Sequence, residues 1–177
     1  MMPIIAINGK TPVVAQSTWV AANVVLVGEV ELADDCGIYY GCVLRADSDR
    51  IAIGNGTNIQ DGCVLHADPG FPVKVGENVS VGHRAVLHGC TIDNDVLIGM
   101  GAIVLNGAYI GSGSLIAAGA VILEGAVIPP NSLVAGVPAK IRRETSAEER
   151  AAIVQNSVTY RELSALNAAG ELESGDF

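Results

Sequence analysis

The chain has 177 residues, a formal net charge of −9 and a residue set that is half hydrophobic, yet it holds only one Trp, four Tyr and two Phe beside 21 Gly. That length gives one domain with room for a sizeable core. The shortage of aromatic side chains demands a narrow core filled by Ile, Val, Leu and Ala. The acidic balance excludes nucleic acid and anionic membrane surfaces as partners, since both need Lys/Arg patches.

At the N-terminus, Met1-Met-Pro-Ile-Ile-Ala-Ile-Asn-Gly-Lys10 lacks a basic stretch followed by a long apolar run. No later segment reaches the ~18 consecutive apolar residues of a membrane span, so a cytoplasmic chain is expected. From Val20 an aliphatic residue recurs every sixth position: Val20, Leu26, Leu32, Ile38 and Leu44; then Ile53, Ile59 and Leu65; then Val75, Val81 and Leu87. The longest run is unbroken, at Ile92, Ile98, Val104, Ile110, Ile116, Ile122, Ile128 and Val134. Two positions earlier stands something small: Cys90, Ala102, Ala108, Ser114, Ala120, Ala126 and Ser132, with Val96 the exception.

Period six fits neither a helix nor a simple hairpin. It fits a coil of short strands joined by tight turns, each strand pointing one aliphatic side chain at a shared axis. The turns need small residues or residues tolerant of positive φ, which accounts for the glycine content. Three hexapeptides close one triangular coil of about 18 residues, with coils stacked ~4.8 Å apart. The stretch from Val20 to Lys140 therefore makes between six and seven coils. The expected organisation is a β-helix domain with an N-terminal cap over 1–144, and a helix with an acidic tail over 145–177 packing on it. Ser146-Ala-Glu-Glu149 reads as a capping box. Ile153, Val154, Val158, Leu163 and Leu166 supply the helix with an apolar side, and Glu171, Glu173 and Asp176 read as a solvated tail.

Four cysteines, Cys36, Cys42, Cys63 and Cys90, contain no C-x-x-C pair, so they read as small buried residues and not as a thiolate cage. The three histidines carry more. His66 and His88 each follow a Val-Leu pair, hence hold the same place in the repeat, and lie one coil plus four residues apart. If the Pro/Gly-rich segment Ala67-Asp-Pro-Gly-Phe-Pro72 bulges by four residues, the two imidazoles stack on one face and converge on one ion. His83 lies two after Val81, beyond a corner, and points elsewhere in a rigid prism. Metal bonds of ~2.0–2.1 Å do not bridge that gap within one chain. Rotational symmetry does: in a homotrimer His83 of one subunit faces His66 and His88 of the next, making three equivalent sites. Three imidazoles with an open position suit Zn2+, and Fe2+ or Co2+ also fit. Nearby, Asn58 and Gln60 share a strand face, Asp61 is placed either to accept from a ligand imidazole or to pair with an Arg, and Arg45 and Asp47 put opposite charges on one face.

Arg45-Ala-Asp47, Asn58-Ile-Gln60-Asp61-Gly, Val64-Leu65-His66, Gly82-His83-Arg84, Leu87-His88-Gly-Cys90 and Ile98-Gly-Met-Gly101 together resemble the γ-class carbonic anhydrase family of hexapeptide-repeat proteins, from about Trp19 to the C-terminal helix. The resemblance implies a mainly β fold, a left-handed parallel β-helix with a C-terminal α-helix. It implies zinc or iron held between subunits by His66, His83 and His88, and an interface ion pair between Arg45 and Asp47. Gln60 and Asn58 would lie beside the metal's water, and Tyr160 of the helix would line the site. The implied reaction is reversible hydration of CO2 to bicarbonate by a metal-bound hydroxide. In one respect the chain departs from the family pattern. Ser48 stands where a proton-carrying glutamate follows the Arg-Ala-Asp run, and Asp68 is the one acidic residue in the loop after His66. Two rival readings share the fold. A hexapeptide-repeat acyltransferase or acyl-CoA thioesterase would bind coenzyme A, and a non-catalytic trimer would use the metal as a staple with no open position.

Overall fold

The computed structural model describes residues 3–173, with side chains to Gly170; the tail residues Glu171, Glu173 and Asp176 lie outside the described side chains. The hexapeptide pattern folds as a parallel β-solenoid. Along one face run Trp19–Val20, Gly37–Ile38, Asn58–Ile59, Ser80–Val81, Leu97–Ile98, Leu115–Ile116 and Ser132–Gly136, each paired in parallel with the next. The inward residues of this face, Ile38, Ile59, Val81, Ile98, Ile116 and Val134, are fully buried, as are Leu26, Leu44, Leu65 and Leu87 of a second face. The residues two positions ahead in the repeat, small except for Val24, form the corners: Val24, Cys42, Cys63, Ala85, Ala102 and Ala120 are buried one above another.

All four cysteines are buried and free. Burial pushes the Cys36 thiol up to about 11 and the Cys90 thiol up to about 12. Both therefore stay protonated and inert near neutral pH. Ellman's reagent is expected to leave the native protein's thiols largely unmodified and to titrate four per chain after unfolding in guanidinium.

The ends of the solenoid differ from its middle. Ile4–Ile5 and Val13–Val14 pair in parallel with the first long strand, Val25–Leu32, and form the N-terminal cap. At the other end the repeat stops before Lys140: Ala139–Glu144 turns back antiparallel on Ser132–Gly136. This strand covers the edge that parallel stacking leaves open on that face.

The helix, α1, spans Ala147–Glu173. Its capping box forms: Ser146 Oγ accepts from the Glu149 N–H at 3.2 Å, and the Glu149 carboxylate accepts from the Ser146 N–H at 2.8 Å. The Arg143 guanidinium, then the Ser146 N–H, hold the Glu149 carboxyl down at about 2. A carboxyl depressed on folding stabilises at pH above its unfolded pKa, near 4.3, and loses that contribution as pH falls toward the folded value. Helix N-terminal amide protection is accordingly expected to weaken from about pH 4 downward, and Glu149→Gln to remove that pH dependence in hydrogen exchange. Ser146→Ala is expected to cost about 1 kcal/mol in urea denaturation.

α1 packs on the strands Trp19–Val20, Gly37–Ile38, Asn58–Ile59 and Ser80–Val81. The buried contacts are Ile153, Ser157 and Ser164, with Tyr160 half-buried between them. This corrects the expected apolar side, because Val154, Leu163 and Leu166 are exposed. Small side chains let the helix come close. A Cβ on Gly37 would sit 2.1 Å from Ser164 Oγ. Tyr39 donates to the Tyr160 carbonyl at 2.9 Å, and its ring meets Tyr160 edge to face at 5.5 Å. Such ring pairs are worth about 0.5–1.5 kcal/mol beyond their buried area. Trp19 stacks edge-on against both Tyr39 and Tyr40, so most of the chain's few aromatic rings gather where the helix docks.

Candidate metal centre

One corner of the solenoid breaks the period in three successive coils. From Leu44 to Ile53, from Leu65 to Val75 and from Leu87 to Ile92 the spacing is nine, ten and five residues instead of six. The extra residues lie in 46–50 and 67–72, and the histidine pair sits at this corner. Strands Val64–His66 and Val86–His88 pair with His66 directly opposite His88, as the four-residue bulge requires. His66 Nδ1 lies 2.9 Å from His88 Nε2.

The outer partners decide which nitrogen of each ring carries hydrogen. His66 Nε2 is 3.1 Å from Asp47 Oδ1; a carboxylate only accepts, so this nitrogen is the donor. Asn106 Nδ2 donates to Asp68 Oδ2 at 2.9 Å, which turns Asn106 Oδ1 toward His88 Nδ1 at 2.7 Å. His88 Nδ1 is therefore the donor too. In the neutral rings, His66 Nδ1 and His88 Nε2 then both present lone pairs to each other. Two lone pairs at 2.9 Å need a proton or a cation between them, and outer acceptors that fix ring tautomers are the usual support of metal-binding imidazoles. The donor set fits a metal. Asp68 adds a third potential donor: among the described residues, one ligand atom each from His66, Asp68 and His88 lie within 4.8 Å of one another.

His83 stands apart from this pair, on the turn after Ser80–Val81. It follows the same rule. His83 Nδ1 donates to Asp61 at 2.8 Å, leaving Nε2 as the lone-pair nitrogen, 3.5 Å from the Tyr160 hydroxyl. Burial, then the Asp61 charge, raises the Tyr160 pKa, so the phenol stays a donor near neutral pH. Beside it, buried Gln60 donates to Asn58 Oδ1 at 3.0 Å, and Asn58 donates to Ser80 Oγ at 2.9 Å. Gln60, His83, Met100, Asn156 and Tyr160 line a cavity of about 350 Å3 between α1 and the solenoid. The Asn156 Oδ1 atom is buried without a hydrogen-bond partner among the described residues.

The structure thus joins His66 with His88, and His83 with Asp61, Tyr160 and Gln60. Arg45 and Asp47 pair within one chain at 2.5 Å, and Arg45, more than His66, holds the Asp47 carboxyl below its usual range. Asp47 is thereby also the anchor of His66, a role the sequence reading did not assign. Asn106 and Asn156 were missed as well. Asn106 carried a signal, since it lies one 18-residue coil after His88; Asn156 carried none.

The hexapeptide family described as bacterial transferase hexapeptide (six repeats) matches residues 89–124. A carbonic anhydrase of Geobacillus kaustophilus is 42% identical over 142 residues, which are 80% of this chain and 78% of that protein. The chain belongs to the γ-class carbonic anhydrase-like family of hexapeptide-repeat proteins. The mitochondrial gamma carbonic anhydrase 3 of Arabidopsis thaliana is 48% identical over 95% of this chain and 69% of its own length. A crystal structure from Bacillus cereus, described as a candidate acetyltransferase, superposes with a TM-score of 0.93 at 38% identity, covering 95% of this chain and 98% of that one. Membership of this family does not place the histidines in space. The fold does, by stacking two of them and giving each of the three an oxygen acceptor on its outer nitrogen. Among the described residues no helix is long and apolar enough to cross a membrane.

Proposed function

We propose that this protein is a metal-dependent carbonic anhydrase that works as a homotrimer, with a Zn2+, Fe2+ or Co2+ ion held by His66 and His88 of one subunit and His83 of its neighbour. The observation that carries this reading is the facing lone pairs of His66 and His88, each ring locked by an outer oxygen acceptor. His83 bears the same lock on Asp61 but has no second imidazole in its own chain beside it. The chemistry the ion supplies when bound is Lewis acidity, which brings the pKa of water from 15.7 to about 7.

The side chains supply the rest. Asp47, Asn106 and Asp61 hold the three imidazoles in the tautomer that leaves a lone pair free. Gln60, oriented by its donation to Asn58, presents its amide at the cavity. Asn156, whose buried Oδ1 has no hydrogen-bond partner among the described residues, lines the same cavity from α1. Leu97, Met100, Leu115 and Ala118 give the cavity an apolar wall suited to CO2. Tyr160 closes its helix side as a neutral donor.

The test is metal content and stopped-flow CO2 hydration on anaerobically purified protein loaded separately with zinc and iron. Metal near one per chain with hydration above the buffer rate supports the reading. Metal without hydration, accompanied by coenzyme A binding, favours acyl transfer, the activity suggested by the Bacillus cereus neighbour's description. Outer partners should matter measurably. Gly89 has φ +55°, and a Cβ there would lie 2.2 Å from Asn106 Oδ1. Gly89→Ala is expected to push that amide off His88 and weaken metal binding by roughly 10–100-fold, read by chelator competition.

A further inference from the structure

The neighbour's His83 reaches the site only after assembly, yet a single chain already carries a third donor. Asp68 Oδ1 lies 3.7 Å from His66 Nδ1, the lone-pair nitrogen of that ring, and one ligand atom each of His66, Asp68 and His88 lie within 4.8 Å of one another. The Asp68 Oδ1–His66 Nδ1 separation is too long for a hydrogen bond and suits two atoms that each touch one ion at about 2 Å. The carboxylate is positioned, not adrift. Asn106 holds Asp68 Oδ2 with its amide nitrogen and His88 Nδ1 with its amide oxygen. The loop carrying Asp68 is pinned by Phe71 N–H to the Asp68 carbonyl at 2.8 Å and by Gly70 N–H to Asp49 Oδ2 at 3.0 Å. Gly89, lacking a Cβ, leaves the room that Phe71 and Asn106 occupy beside it. The Asp68 side chain is 40% exposed, so a hydrated cation reaches it from solvent.

We propose that His66, Asp68 and His88 form a two-histidine, one-carboxylate cation site complete within one chain, which takes up a first-row divalent cation before the neighbour's His83 arrives. The proposal rests on the reading of His66 and His88 as ligands and adds Asp68 to them. A two-histidine, one-carboxylate set with open positions favours Fe2+, and Co2+ is its convenient probe. The irregular corner then acts as a loading station: the chain captures the ion from solution, and assembly adds the third imidazole.

The experiment uses the full-length chain and Co2+ alone, followed by equilibrium dialysis and visible absorption. His83→Ala is expected to retain near one Co2+ per chain. Adding Asp68→Asn, an isosteric change that keeps a partner for Asn106, is expected to weaken binding by more than the roughly 100-fold upper range for loss of an outer partner, and to shift the absorption bands. Asn106→Ala in the same background is expected to stay within that outer-partner range and supplies the comparison. Equal Co2+ affinity with and without Asp68 overturns the proposal. Loss of all Co2+ in His83→Ala, with the unaltered protein still binding, also overturns it and leaves the interface site standing. No Co2+ binding by the unaltered protein removes both readings.

Discussion

Replacing both His66 and His88 by alanine is expected to reduce bound metal from near one per chain to background, and CO2 hydration to the buffer rate. The two rings supply the facing nitrogens at 2.9 Å. Without them the corner keeps Asp68 and a single imidazole from the neighbour, too few donors to hold an ion against water. The catalytic loss is complete because the ion is the source of nucleophile at neutral pH: a water with a pKa near 15.7 has no competent general base to replace an effect of that size. Both side chains are partly exposed and outside the solenoid core, so far-UV circular dichroism and the denaturation midpoint should stay close to those of the unaltered protein. Unchanged folding with absent metal separates this result from a collapsed structure. Asp61→Asn should behave differently, keeping the ring in place while weakening its anchor, with metal affinity down by roughly 10–100-fold.

Leu65→Ala is expected to destabilise the protein by about 2–5 kcal/mol in urea denaturation at fixed protein concentration. Leu65 is fully buried and stacks between Leu44 and Leu87 along the prism axis. The prism has few ways to collapse around the lost atoms, because each coil is fixed to the next by backbone hydrogen bonds at strand spacing. Leu65 also directly precedes His66 on its strand. The same substitution should therefore loosen the metal site, whereas Ile116→Ala, on another face, should cost similar stability with little effect on metal affinity. Comparing chelator competition in the two variants separates core packing from its coupling to the site.

What could be read from the sequence followed the repeat. Spacing alone indicated which aliphatics point inward, and it indicated that His66 and His88 stack, because a difference of one coil plus four residues has a ready bulge in Ala67–Pro72. The capping box was also legible, being a local pattern with one obvious partner; Asp61 was legible as a partner for either a ligand imidazole or an Arg, and the structure pairs it with His83 at 2.8 Å. What was not legible depended on how irregular corners fold. Asp47 turns one carboxylate oxygen to Arg45 and the other to His66, a bridge that no periodicity encodes. Asn106 reaches both His88 and Asp68 only because Gly89 leaves space. The helix face was misread for a related reason. Val154, Leu163 and Leu166 suggested the docking stripe, but the face that meets the solenoid wall is the one carrying Ile153, Ser157, Tyr160 and Ser164, where hydroxyls bond at close range.

The central claim is that each site is completed by a neighbour. The most direct measurement is complementation between two inactive parents. One is His83→Ala; the other is the double variant His66→Ala/His88→Ala. Each is carried on its own affinity tag, co-expressed, and purified through both tags. If subunits share sites, about a quarter of the interfaces in randomly mixed trimers pair an intact His66/His88 corner with an intact His83. Stopped-flow CO2 hydration in the doubly tagged fraction should then rise well above that of either parent. Doubly tagged trimers that hydrate CO2 no faster than the parents, while the unaltered protein is active, would contradict the shared site.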